Sequence, residues 1–264
     1  MKSALDLTRL AAAAAARAAD YLRSVDRPRD PAQWAVKGTN DFVTEADRTA
    51  ERIIVDALQA GEPGSTVVGE ELSPNDARRG LTWIVDPIDG TTNFVHGFPA
   101  YSVSIGAEVD GVLEAGVVLH VEANQLYRAS RGGGAWLDES RLAVSTRSDP
   151  RYALIGTGFP FKHVEQLDQY QGQFAKVAKA AAGIRRAGSA SLDLCWIASG
   201  VYDGFWELRL APWDIAAGLL LVREAGGVVT DLRGRAIGAE HSAVVAGNPR
   251  IQEWLLGLVE DVKT

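Results

Sequence analysis

The stretch 83–99, WIVDPIDGTTNFVHGFP, ends an apolar run in two aspartates, Asp86 and Asp89, with Pro87 and Ile88 between them and a Gly-Thr-Thr turn after them. Asp, Pro and Gly all form turns, so an acidic surface turn is the plain reading. The order of the residues points to chemistry instead. A residue before proline is pushed towards an extended backbone, so Asp86 continues the strand and projects from its end. Pro87 and Gly90 then turn the chain and bring Asp89 back to the same end. That leaves the Ile88 carbonyl without a ladder partner and available as an oxygen ligand. Gly90 permits close backbone approach, and the N–H groups of Gly90, Thr91 and Thr92 form an anion cradle if a helical turn begins there. Two carboxylates beside an anion site oppose one another unless a cation lies between them.

Other carboxylates stand at comparable places. Glu70 and Glu71 end the apolar run TVVG, Glu207 ends YDGFWE, and Asp214 lies in the first turn of a helix begun by Pro212. Asp47 follows Thr44 by three residues, the spacing of a capping box. Taken singly these are solvated strand ends, a helix-start carboxylate and a cap. Taken together they carry an energetic condition. Two carboxylates about 5 Å apart repel by about 3 kcal/mol at an effective dielectric of about 20. Were Glu70, Asp86, Asp89 and Asp214 to converge, the summed repulsion of up to about 20 kcal/mol would exceed a stability of about 5–15 kcal/mol. A convergent set therefore needs metal, and all-oxygen ligands indicate Mg²⁺ or Mn²⁺ over zinc. Spacing leaves their convergence to the fold.

The elements that must position these groups read as follows. Residues 4–24 and 44–60 are helices, the second capped by Thr44 and stopped by Gly61. Short strands at 65–71 and 81–87 precede an antiparallel meander over 101–130, with turns at Asp110-Gly111 and Glu122–Gln125. Beyond SRGGGAWLDESRLAVS come a strand at 152–158, a helix at 163–179, a strand end running into a helix that stops at Gly200, the strand YDGFWEL, a helix from Pro212 to Gly226, and a buried strand SAVVAGNP before a last helix. Meander first and alternating elements later describe an α/β (α+β) chain. The change of pattern near residue 145 divides it into 1–145, with most of the candidate ligands, and 146–264, with Asp214; the two are expected to form one compact unit.

Composition narrows the function classes. A chain of 264 residues with 47 % hydrophobic and 23 % charged residues suits a soluble globular protein. Net charge −7 argues against direct nucleic-acid binding, because phosphate backbones reward a basic face. The single cysteine, Cys195, excludes an intramolecular disulfide and suits a cytoplasmic location; it reads as a core residue. LAAAAAARAADYL is broken by charge and reads as a soluble helix, and no apolar run is long enough to span a membrane. RGGGAW lacks the GK[ST] of a P-loop, GTGFPF lacks the third glycine of a dinucleotide fingerprint, and neither G-x-S-x-G nor H-E-x-x-H occurs. The four histidines are scattered and read as structural, and Arg185-Arg186 as one half of an ion pair, within the chain or across subunits.

WIVDPIDGTTNFVHGFP, PWDIAAGLLLVREAGG and VVGEE together resemble the inositol monophosphatase family of metal-dependent, lithium-sensitive sugar phosphatases, of the bacterial inositol-1-monophosphatase type, from about Lys37 to Asn248. The resemblance implies a layered α/β/α/β/α sandwich of the sugar phosphatase superfamily and a homodimer. It implies Glu70, Asp86, the Ile88 carbonyl, Asp89 and Asp214 as ligands for two or three Mg²⁺ ions. It further implies Glu70, Thr91 and Asp47 as the catalytic set, Asp47 bonded to Thr91 beside the attacking water. Asp89, Gly90, Thr91, Thr92, Ala190, Glu207 and Asp214 would contact substrate, and KGTNDFVTEAD, with Lys37, would be a mobile loop near the site. The expected activity is hydrolysis of inositol monophosphate or a similar small polyol phosphate by metal-activated water. Phosphoryl transfer needs mainly positioning and charge neutralisation, so no serine or cysteine nucleophile is required. Histidinol-phosphate phosphatase is the near rival and bisphosphate substrates a more distant one. A regulatory protein that binds transcription machinery through this fold is the rival of another class.

Overall fold

The computed structural model describes residues 2–38, 41–72 and 78–260. Helix α1, Ala4–Ser24, starts at Ser3, whose hydroxyl accepts the Asp6 N–H. Its buried face is almost wholly alanine, with Leu7 and Leu22 at its ends, so it lies close upon its neighbours. Strands β1, Ala35–Gly38, and β2, Asp41–Val43, pair antiparallel where the resemblance implied a mobile loop. The side chain of Lys37, and all of Thr39 and Asn40, lie outside the described residues. Helix α2, Glu45–Gly61, has the predicted capping box of Thr44 and Asp47.

Seven strands form the first sheet: β3, Thr66–Gly69; β4, Leu81–Asp89; β5, Ser102–Val109; β6, Val112–His120; β7, Gln125–Ser130; β8, Gly134–Leu137; and β9, Ser140–Arg141. They lie in chain order, β3 parallel to β4 and every later pair antiparallel, so the meander stands as read and extends to β9. The six-residue helix α3, Thr91–His96, follows β4 directly.

The second sheet begins after residue 145. It contains β10, Leu154–Thr157; β11, Gly183–Arg185; β12, Gly204–Leu210; β13, Val228–Thr230; and β14, Ser242–Gly247, in the order β11-β10-β12-β14-β13. Between them run α4, Leu167–Ala178; α5, Ala190–Ala198; and α6, Pro212–Glu224; α7, Pro249–Val259, comes last. The predicted helix at 163–179 thus opens as a 3₁₀ turn and becomes α-helical only at Leu167. β13 has only three residues and follows a Gly-Gly pair, too short for a period to show in the sequence.

Three apolar clusters separate five layers. α1 and α2 cover one face of the first sheet over Trp83, Val85, Ile105 and Val117. α5 and α6 fill the space between the sheets, against Ile84 and Val118 on one side and Phe205, Val244 and Ala246 on the other. α4 and α7 close the far side over Trp206 and Val245. Neighbours Phe205 and Trp206 face opposite layers, as the two-residue repeat of a strand requires. This is the expected α/β/α/β/α sandwich. Helix α6 is buried nearly all round. It approaches the first sheet at Gly106 and Gly116, where a Cβ would come within 2.7 Å of Ala216 Cβ and of the Ala217 carbonyl oxygen respectively. Among the described residues no helix is long and apolar enough to cross a membrane.

Candidate active site

The site grows from an irregularity at the end of β4. Asp86 pairs with Ser104 and Asp89 with Ser102, so three steps along β4 match two along β5. In a regular strand residues three apart point to opposite faces; the extra residue puts both aspartates on one side. Pro87 belongs in such a bulge, where its missing N–H costs no ladder bond. The sequence reading placed a turn at Pro87, but the strand persists to Asp89 and the chain turns only at Gly90. Gly90 has φ +96°, and a Cβ there would lie 3.1 Å from the carbonyl oxygens of Ala100 and Gly188, so any side chain would be both strained and crowded. α3 begins immediately, as the cradle required.

Asp214 arrives from the other half of the chain. It caps α6, accepting the Ala211 N–H at 2.7 Å. Asp86, Asp89 and Asp214 can each offer an oxygen such that the three lie within 4.8 Å of one another. Glu70, at the end of β3, lines the same cavity of about 400 Å³; Glu71 does not. Ile88, Gly90, Thr91 and Thr92 form one part of its wall, and Ala190 and Glu207 another. Asp47 stands behind the wall and reaches the site through Thr91, whose hydroxyl donates to Asp47 Oδ1 at 2.9 Å. The same hydroxyl lies 3.1 Å from the Ile88 carbonyl oxygen. It has one proton and the Asp47 contact is the shorter, so the Ile88 oxygen keeps its lone pairs. Asp47 Oδ2 is itself fixed by the Thr44 N–H and hydroxyl, at 2.8 and 2.6 Å.

Several groups that hold the site escaped the sequence reading. Asp89 Oδ2 accepts from Ser189 Oγ at 2.7 Å, Ser191 N at 2.7 Å and Ser191 Oγ at 2.6 Å. The segment GSAS therefore serves a ligand through its serines as well as lining the cavity through Ala190. Glu51, fully buried, accepts the N–H groups of Glu71 and Leu72 and so fixes the chain that carries Glu70. Its signal lay in the sequence: Asp47 and Glu51 are four apart and share one face of α2. Asn93 ties α3 to the Ala100 and Ala187 carbonyls at 2.6 and 2.9 Å. The expected ion pair at Arg185-Arg186 is not found among the described residues; Arg186 lies instead over the rings of Phe159 and Phe161. Of the histidines, His163 and His241 line the cavity. Cys195 is buried in the middle layer, as read.

The electrostatics carry the mark of an unbalanced acidic cluster. Burial, then Glu70, Asp89 and Asp214, push the Asp86 carboxyl well above the ordinary range. Burial, then Asp89 and Glu70, push Asp214 up to about 8. Burial raises Asp89 too, against the pull of its serine hydrogen bonds. Glu207 rises to about 8 from burial and then Asp214. Carboxyls drawn together against their own repulsion, offering only oxygen, fit a hard divalent cation such as Mg²⁺.

Residues 4–264 match the model of the inositol monophosphatase family. The chain belongs to that family. It is 45 % identical over 253 residues to Nus factor SuhB of Pseudomonas aeruginosa, covering 93 % of both chains. It is 44 % identical over 229 residues to the inositol-1-monophosphatase of Rhizobium meliloti, covering 86 % of both. The solved structure of the Thermotoga maritima IMPase superposes with a TM-score of 0.88 at 32 % identity, covering 96 % of each chain.

Proposed function

We propose that this chain is a Mg²⁺-dependent phosphomonoesterase that hydrolyses inositol monophosphate or a similar small polyol phosphate. The observation that carries this reading is the approach of Asp86, Asp89 and Asp214 to within 4.8 Å of one another in one cavity. In the reading, Glu70, Asp86, the Ile88 carbonyl, Asp89 and Asp214 hold two or three cations, Mn²⁺ being the alternative metal. Bound there, the cations neutralise the phosphate, polarise the leaving oxygen and acidify a water.

The chain's own groups do the positioning. Asp47 holds the Thr91 hydroxyl proton, so Thr91 Oγ1 presents lone pairs to a proton of the attacking water and orients it. Gly90, Thr91 and Thr92 offer backbone N–H groups to phosphate oxygens. Ala190 and Glu207 face the departing alcohol, with Asp89 and Asp214 on the same side. The halves 1–145 and 146–264 act as one unit, and a cytoplasmic homodimer inhibited by Li⁺ completes the reading.

Phosphate release from inositol 1-phosphate, with and without Mg²⁺, tests it, with histidinol phosphate beside it for the near rival. Turnover that requires Mg²⁺ and prefers the inositol ester supports the reading. No release from any small phosphomonoester sinks it. That outcome would favour a second reading, supported by the name Nus factor of the Pseudomonas relative: a regulatory protein that binds transcription machinery through this fold. The full acidic set and its satisfied supports favour the enzyme.

A further inference from the structure

Asp193 is a carboxyl in the cavity wall to which the proposed reaction gives no role. It is 1 % exposed, and its Oδ1 is buried without a hydrogen-bond partner among the described residues. Other buried acids of the fold are held: Asp89 by Ser189 and Ser191, Glu51 by two backbone N–H groups, and Asp203 by Ser145, Arg147 and the Leu154 N–H. A place in the first turn of α5 accounts for a negative side chain there, because the helix dipole favours one. It does not account for the missing donor. A buried acceptor without a donor is costly, and in a cavity wall a ligand can supply one. With no hydrogen bond from the described residues pinning Oδ1, the carboxyl can turn about Cβ–Cγ and present an oxygen to the cavity.

The surroundings define the ligand. Glu207 lines the same cavity and adds a second acceptor. Lys162, Arg186 and Arg209 line it too, Lys162 standing 4.0 Å from Glu70, so a cationic leaving group meets like charge in the wall while a neutral one does not. We propose that Asp193 accepts a hydrogen bond from a hydroxyl of the leaving alcohol, beside Glu207, and thereby selects a neutral, polyhydroxylated leaving group. The inference rests on the phosphomonoesterase reading and deepens it.

Asp193→Ala is compared with the wild-type chain in Mg²⁺ on three phosphates. Inositol 1-phosphate offers hydroxyl donors, the leaving group of p-nitrophenyl phosphate has none, and histidinol phosphate carries an ammonium. KM for inositol 1-phosphate is expected to rise about tenfold, with KM for the other two and kcat for all three within about threefold of wild type. Asp193→Asn keeps an acceptor of the same shape and is read if the alanine variant does not fold. It is expected to raise KM for inositol 1-phosphate alone, by about threefold. An equal shift on all three phosphates, a larger shift on histidinol phosphate, or no shift overturns the inference and leaves the phosphatase reading standing. A wild-type chain that releases phosphate from none of the three overturns both.

Discussion

One oxygen of Asp89 takes three hydrogen bonds, from Ser189 Oγ at 2.7 Å and from N and Oγ of Ser191 at 2.7 and 2.6 Å. Ser102 Oγ stands 2.7 Å from Ser191 Oγ and steadies it in turn. These bonds fix the carboxyl plane, so the second oxygen would meet a cation in the proposed site without further ordering. Groups that orient a ligand in this way typically govern metal affinity by about 10–100-fold. Ser191→Ala is therefore expected to raise the Mg²⁺ concentration for half-maximal turnover by at least about tenfold, with kcat at saturating Mg²⁺ within about threefold. A metal titration of phosphate release measures both, and an unchanged midpoint would remove the positioning role. Asp89→Asn is harsher, because an amide is a poor cation ligand. Turnover should fall at least about a thousandfold while far-UV circular dichroism is unchanged, and retained activity would count heavily against the metal mechanism.

At the scale of elements, Asp214 is placed by how closely α6 lies on the first sheet. Gly116 makes that contact: a Cβ there would fall 2.7 Å from the Ala217 carbonyl oxygen, which is backbone and cannot swing aside. Gly116→Ala should cost about 1–3 kcal/mol of stability and lower kcat as well, since lifting α6 moves Asp214 from Asp86 and Asp89. Thermal melts and turnover of the same variant test the link; a destabilised variant with unchanged kcat would sever it. This contact also marks how far the sequence could be read. Long helices, strands with a clear two-residue repeat and the meander turn at Asp110-Gly111 were legible, because local pattern and tertiary demand agree there. The bulge at Asp86–Asp89 was legible only in its result, since a strand carried through Pro87 depends on its partner β5. β13 and the β1–β2 pair were missed because three or four residues do not establish a period. In the site, the acidic residues stood out by type and spacing. Ser189 and Ser191 did not, for a serine before a helix gains meaning only from what the fold sets beside it, and Glu51 showed only through its four-residue spacing from Asp47.

Over the whole molecule, five layers bury an acidic cluster in a chain whose net charge is already −7. Without metal that arrangement works against the fold, and it does so in a pH-dependent way. Glu207 and Asp214 titrate near about 8 in the folded chain, raised by burial first, against 4.5 and 3.8 for the free groups. Between those limits the folded state holds more protons than the unfolded one, so stability is fully present below about 4 and declines as pH rises to about 8. In a chelator, Tm should fall by at least about 5 °C from about pH 5.5 to about pH 8. A divalent cation reverses the sign, because it binds the ionised carboxylates and only the folded chain assembles them. Saturating Mg²⁺ should therefore raise Tm more at about pH 8 than at about pH 5.5, and Asp89→Asn should abolish most of that gain. Melting scans of both proteins at the two pH values, with chelator and with Mg²⁺, decide it. A metal-free Tm that holds steady or rises with pH would contradict the buried cluster. An Mg²⁺ gain that is equal at both pH values would place the ion elsewhere on the molecule.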